Sequence, residues 1–257
     1  MKYTYKTFIK TLKMLITVYF VWTFTCGFVF VNGPEEAKLD ASEANPIIEF
    51  VWNGKVPELT NTSGFQGGLW NDLSDEQIME NLILYSFTIW NNIPGAYLSL
   101  ALGSIDGTIE PDSEDGIHVI NVDSMESATS AAFAVPNAEN GIITDCDITL
   151  GDHAQNLSSL AITLTHEIGH CLGLGHPHSS YKSIMSYSNL NQTLELSADD
   201  KAGIIYLYPD SNFSATDVTP LACGSIGNYF KNRTAIIFFV FLLIFPFLMR
   251  AISQFFL

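Results

Sequence analysis

The sequence predicts an α+β fold, a layered domain in which helices pack on a sheet. Two observations carry that prediction. One helical stretch is followed by several short β-like runs, then by a second helix and a short irregular tail holding a third. No segment repeats, and glycine-aspartate nonapeptides of the calcium-binding kind are missing, so solenoid architectures are excluded.

The 257 residues leave room for one ordinary domain with extra segments at its ends. Residues 1–33 read as an export segment. Lys2, Lys6, Lys10 and Lys13 precede an apolar run from Met14 to Val31, and Asn32-Gly33-Pro34 ends it. A basic start, an apolar stretch and small residues are the parts of a secretory signal peptide, with Val31 and Gly33 suiting a cut after Gly33. The run is long for a signal, so an uncleaved signal anchor is the rival reading. Residues 34–46 are polar and acidic and read as a linker. The folded unit is expected over 47–210.

Its first helix begins at Ser74, where Ser74 and Gln77 make a capping-box pattern. Ile78, Leu82, Tyr85 and Ile89 then recur at helical spacing, and Pro94 stops the helix. Four β-like runs follow: Tyr97 to Leu102, Ile117 to Val122, Ala132 to Val135 and Ile142 to Leu150, each set off by turn residues. A second helix spans about Ser158 to Leu172 and ends at Gly173. The third starts at Ser197, carries Asp199 and Asp200 in its first turn, and stops before Pro209. Residues 211–233 read as a second linker. Beyond it, Thr234 to Met249 is uncharged and apolar, flanked by Lys231, Arg233 and Arg250. As a helix that stretch reaches about 24 Å against a hydrocarbon core of roughly 30 Å. Residues 234–257 are therefore expected to form a transmembrane segment, with a buried core helix as the alternative.

All 27 acidic residues lie between Glu35 and Asp217, where the only basic residues are Lys38, Lys55, Lys182 and Lys201. Such a surface repels nucleic acid, which is excluded as a partner. Asp106, Glu110, Asp112, Glu114 and Asp115 crowd one loop. Clustered carboxylates admit Ca2+, but the spacing matches no calcium loop, and a solvated acidic loop is the simpler reading. His118, His153 and His178 read as non-ligands. Of the four cysteines, Cys26 falls in the export segment and Cys223 beside the C-terminal apolar run. Cys146 and Cys171 remain, either as a disulfide in an exported domain or as two small buried thiols.

The chemistry concentrates in His166-Glu167-Ile168-Gly169-His170, followed by Gly173 and His176. Residues four apart share a helix face, so His166 and His170 can present imidazole nitrogens to one ion. Gly173 can take a positive φ and turn the chain back, bringing in His176 as third ligand. Three histidines with a fourth position left to water suit one catalytic Zn2+. Glu167, one step round the helix, is placed as general base: it takes a proton from zinc-bound water that attacks a peptide carbonyl.

Those residues resemble the metzincin zinc metallopeptidases, whose long motif is met at every fixed position from His166 to His176. Ser183-Ile184-Met185-Ser186-Tyr187 resembles their methionine turn. The resemblance implies a twisted mixed sheet packed on two long helices, with a short C-terminal subdomain carrying the third. It implies that Met185 floors the three imidazoles without ligating metal. The helix that ends at Tyr208-Pro209 looks like matrixins, whereas Pro177 and Met185-Ser186-Tyr187 look like serralysins. In the latter, a tyrosine at the position of Tyr187 stabilises the oxyanion; a packed core tyrosine is the other reading. Matrixin zymogens carry a zinc-blocking cysteine, for which nothing between Cys26 and Cys146 could serve. The resemblance further implies a protein or peptide substrate pairing with an edge strand, for which Ser130 to Val135 is the candidate. Residues Tyr187 to Leu190 would then wall the pocket beyond the scissile bond. Finally, Asp217 to Ser225 followed by an apolar helix and Arg250 resembles bacterial C-terminal sorting signals of the CTERM type, with a plain anchor as alternative. Together these features predict a zinc metalloendopeptidase acting on extracytoplasmic proteins, against two rivals: a non-catalytic zinc-binding module, and a membrane-held adhesion or assembly domain.

Overall fold

The computed structural model describes residues 29–31, 36–112, 114–125, 131–177, 182–186 and 194–213. Both apolar ends lie outside these residues, apart from 29–31. Among the described residues no helix is long and apolar enough to cross a membrane.

The elements run β1 (Val29–Phe30), β2 (Lys38–Leu39), β3 (Ile47–Trp52), β4 (Leu59–Thr60), α1 (Asp75–Asn91), β5 (Ser99–Ile105) and β6 (His118–Asp123). Then come β7 (Ala132–Glu139), β8 (Ile142–Gly151), β9 (Gln155–Asn156), α2 (Leu157–Cys171), β10 (Leu174–Gly175) and α3 (Ala198–Leu207). Six strands make one mixed sheet in the order β2-β8-β6-β3-β5, with β7 paired to β8. All pairings are parallel except β7 with β8, which is antiparallel. Because β7 occupies one edge of β8 from Ile142 to Leu150, β2 and β6 share the other edge, at Ile142–Ile143 and Ile148–Gly151 respectively. β7 is thus an edge strand, which is where Pro136 can sit without breaking a ladder.

Local chemistry sets the helix ends. Ser74 and Gln77 cap α1 reciprocally, and Ser197 and Asp200 do the same for α3. Asn156 caps α2 by accepting from the Ser158 and Ser159 amides. α1 buries Ile78, Met79, Leu82, Ile83, Phe87 and Trp90 on one face. It meets α2 through the Trp90 indole, which donates to the Thr165 carbonyl at 3.0 Å.

Two departures from the sequence reading matter. β3 lies between β6 and β5 in the sheet, yet no strand is expected there. Its inward face is Ile48, Phe50 and Trp52, all buried. The linker expected over 34–46 is partly built into the domain: Ala37, Leu39 and Ala41 are buried and Lys38–Leu39 pairs with β8. The Leu39 amide donates to the Tyr208 hydroxyl, which itself donates to the Leu172 carbonyl at the end of α2. Acidic composition masked an apolar alternation three residues deep. The acidic loop from Asp106 to Asp115 is exposed. Its end is tied down where Gly116 donates to the buried Asp145, and Val119 just beyond donates to the buried Asp147.

Candidate metal centre

α2 delivers His166 and His170 one turn apart, and the chain then reverses at Gly173. That residue sits at φ +99°, and a Cβ there would lie 2.0 Å from the Ala37 carbonyl oxygen. Only glycine meets both conditions. β10 follows, and His176 arrives on the same side as the other two histidines.

The three Nε2 atoms stand 3.0, 3.1 and 3.1 Å from one another. His166 Nδ1 lies 2.7 Å from the Ile184 carbonyl, and His170 Nδ1 lies 2.8 Å from the Leu174 carbonyl. A carbonyl only accepts, so both Nδ1 atoms carry the proton and both Nε2 atoms present lone pairs. Two lone pairs facing at 3.1 Å repel unless a cation lies between them. Ligand nitrogens about 2 Å from zinc would sit at nearly this separation. Among the described residues, His166, His170 and His176 are the one group of three such side chains arranged to hold a metal ion. Burial, followed by the neighbouring His166, pushes His170 down to about 3, and burial also lowers His166. The site disfavours protonated imidazole, as a metal ligand set must.

Glu167, next to His166 on α2, is 7% exposed and accepts from the Ala134 amide on β7. Burial pushes its carboxyl up to about 7, against the lowering effect of that hydrogen bond. Met185, after the turn from Ser183, is 1% exposed. A Cβ on Gly169 would fall 2.3 Å from the Met185 sulfur and 3.0 Å from Trp90 Cζ2. Behind the site Cys146 of β8 and Cys171 of α2 are joined by a disulfide. Tyr187 and the segment to Leu190 lie outside the described residues, as does His178.

Three participants escaped the sequence reading. Gly169 occupies a variable position of the motif, and its requirement is visible only once Met185 is placed against it. The Ala134 amide is a backbone group without side-chain signature. Asp200 was read as a helix-start acid, although it bonds the methionine turn. Its position as N3 of a capping box was the available signal.

The family profile described as Matrixin matches residues 70–209, more than half of the chain. The chain is a matrixin. The profile is that of a peptidase family, and two of the curated relatives are named as metalloendoproteinases. Among curated proteins this matrixin is 30% identical over 139 residues to metalloendoproteinase 1-MMP of Arabidopsis thaliana, covering 48% of the chain and 36% of that protein. It is 37% identical over 100 residues to metalloendoproteinase 2-MMP of the same plant, covering 37% of the chain and 25% of the relative. Stromelysin-3 of Rattus norvegicus is 31% identical over 99 residues, covering 38% and 20%. The matches therefore span about a third or less of each relative's length. Between the matrixin and serralysin likenesses in the sequence, the profile favours the matrixin one.

Proposed function

We propose that this matrixin is an endopeptidase that hydrolyses peptide bonds of extracytoplasmic proteins, with one zinc ion on His166, His170 and His176. The observation that carries this reading is the pair of unprotonated Nε2 atoms turned toward each other, with the buried Glu167 carboxyl adjoining them on α2. Zinc bound there would supply a Lewis acid that polarises the scissile carbonyl and makes a water acidic near neutral pH.

The chain's own residues supply the rest. Glu167 accepts a proton from the attacking water and gives it to the leaving amine nitrogen as the carbon–nitrogen bond breaks. A carboxyl held near neutrality by burial is suited to carrying that proton both ways. β7 is paired to β8 along one edge, and its other edge is where an extended peptide would bind as an added strand. Met185 supports the imidazoles from below, Gly173 delivers His176, and Tyr187 is assigned to the oxyanion from its place after the methionine turn. Outside the catalytic domain, residues 1–33 export or anchor the chain. The C-terminal apolar segment 234–257 holds it at a membrane at least until the sorting-like motif in 211–233 is processed.

The test is the full chain against casein and a quenched peptide library. Cleavage should be abolished by a chelator and restored by zinc. Glu167→Gln should reduce kcat by roughly 10²- to 10⁴-fold while zinc stays bound. Cleavage indifferent to both treatments would rule the reading out, and zinc binding without cleavage would favour the non-catalytic module.

A further inference from the structure

Asp200 sits in the first turn of α3, yet it is 2% exposed. Capping the helix accounts for only one of its bonds, the Ser197 amide donating to Oδ2 at 2.8 Å. The remaining donors come from the methionine turn. Ile184 N donates to Oδ2 at 3.0 Å, Ser183 Oγ donates to Oδ1, and Met185 N reaches Oδ1 at 3.4 Å. Ser183 Oγ in turn accepts from Met185 N at 3.0 Å. Every one of these partners is a donor, which is what a buried carboxylate requires.

The consequence reaches the metal centre through Ile184. Its amide is held by Asp200, and its carbonyl receives the Nδ1 proton of His166. The matching acceptor for His170 is Leu174, on β10 just after α2 and two residues before His176. His166 alone of these two depends on an acceptor brought from a distant loop. We propose that Asp200 is a positioning residue for the metal: by fixing the turn from Ser183 to Met185 it keeps the Ile184 carbonyl on His166 Nδ1, and so keeps the His166 Nε2 lone pair on the ion. This rests on the reading of the three histidines as a zinc site.

The experiment measures zinc affinity of the full chain by competition with a chromophoric chelator, for wild type, Asp200→Asn, His166→Ala and the double variant. Outer partners of metal-ligating histidines are worth about 10- to 100-fold in affinity, and Asp200→Asn should lose an amount in that range. Because Asp200 acts through His166, it should cost almost nothing further in the His166→Ala background. The melting temperature of the zinc-free protein should fall much less than that of the loaded one. Zinc affinity within twofold of wild type, or a loss fully additive with that of His166→Ala, would overturn the proposal and leave Asp200 a helix cap. If Asp200→Asn does not fold, Ser183→Ala removes one bond without changing charge. It should weaken zinc binding by roughly two- to tenfold, and an unchanged affinity would count against the proposal equally. A wild-type chain that binds no zinc would instead overturn the zinc reading beneath it.

Discussion

Gly169 stands between the two helical histidines, and its missing Cβ leaves room for the Met185 sulfur and the Trp90 ring edge. Trp90 cannot retreat without giving up its bond to the Thr165 carbonyl. Gly169→Ala should therefore displace Met185, destabilise the fold by about 1–3 kcal/mol and loosen the imidazole floor. Melting with and without zinc would show it: the loaded protein should lose more than the zinc-free one, and equal melting to wild type would refute the packing argument. Asp147 carries a different prediction. Burial, with Asp145 beside it, raises this carboxyl to about 6. Below about pH 4 it is protonated in both folded and unfolded chains and costs nothing. Between about pH 4 and 6 the unfolded chain ionises first, so stability falls, and above that the full penalty of about 1–3 kcal/mol remains. Asp147→Asn keeps an oxygen for the Val119 amide. In calcium-free buffer it should raise the melting temperature at pH 7.5 and leave it nearly unchanged at pH 4. A gain equal at both pH values would point to packing instead of ionisation.

At the scale of elements, α2 is held from three sides: by the Trp90 bond to α1, by the disulfide to β8, and by Tyr208 at its C-terminal end. The disulfide closes a separation of 25 residues and adjoins His170. Replacing both cysteines with alanine should cost about 3–4 kcal/mol through the freed unfolded chain. Denaturant unfolding would measure that loss; less than about 1 kcal/mol would mean that the helix is held without it. The helices were legible in the sequence because their caps are side-chain signals: Ser74 with Gln77, and Ser197 with its acids. The long strand β8 was legible as well, from Ile142, Ile143, Ile148 and Leu150 in a run set off by turn residues. β3 was not, since its buried face is only Ile48, Phe50 and Trp52 and it follows a stretch read as linker. β2 was hidden for a related reason, because two residues carry almost no periodicity and tertiary contact alone defines them. The clustering of His166, His170 and His176 was legible, as their spacing is fixed by one helix and one turn. Asp200 was legible only as a cap, because what it bonds comes from another part of the chain.

At the scale of the molecule, the ends of the chain separate from its middle in charge, with the acids confined between Glu35 and Asp217. The fold nevertheless reaches back into the segment that the sequence suggests as an export signal. Phe30 of β1 lies half-buried with its ring 5.7 Å from that of Tyr206, and β1 pairs antiparallel with β10, next to His176. The Val31 amide also donates to the Gly173 carbonyl at the turn that delivers this histidine. A cut after Gly33 would remove all of these contacts, whereas an uncleaved anchor would keep them. The signal and anchor readings therefore differ in stability as well as in mass. Half-burying one phenylalanine contributes roughly 1–2 kcal/mol. A chain beginning at Pro34 should then melt about 2–8 °C below one that retains Val29 to Gly33. The loss should be reproduced by Phe30→Ala in the longer chain, because that ring packs beside Tyr206. Equal melting of all three chains would show that β1 adds nothing to the domain, and cleavage after Gly33 would be free of structural cost. Mass spectrometry of the native N-terminus then tells which form the domain adopts in use. A start at Pro34 means that the turn before His176 works without its strand, and an intact leader means that anchoring and metal-site support share one segment.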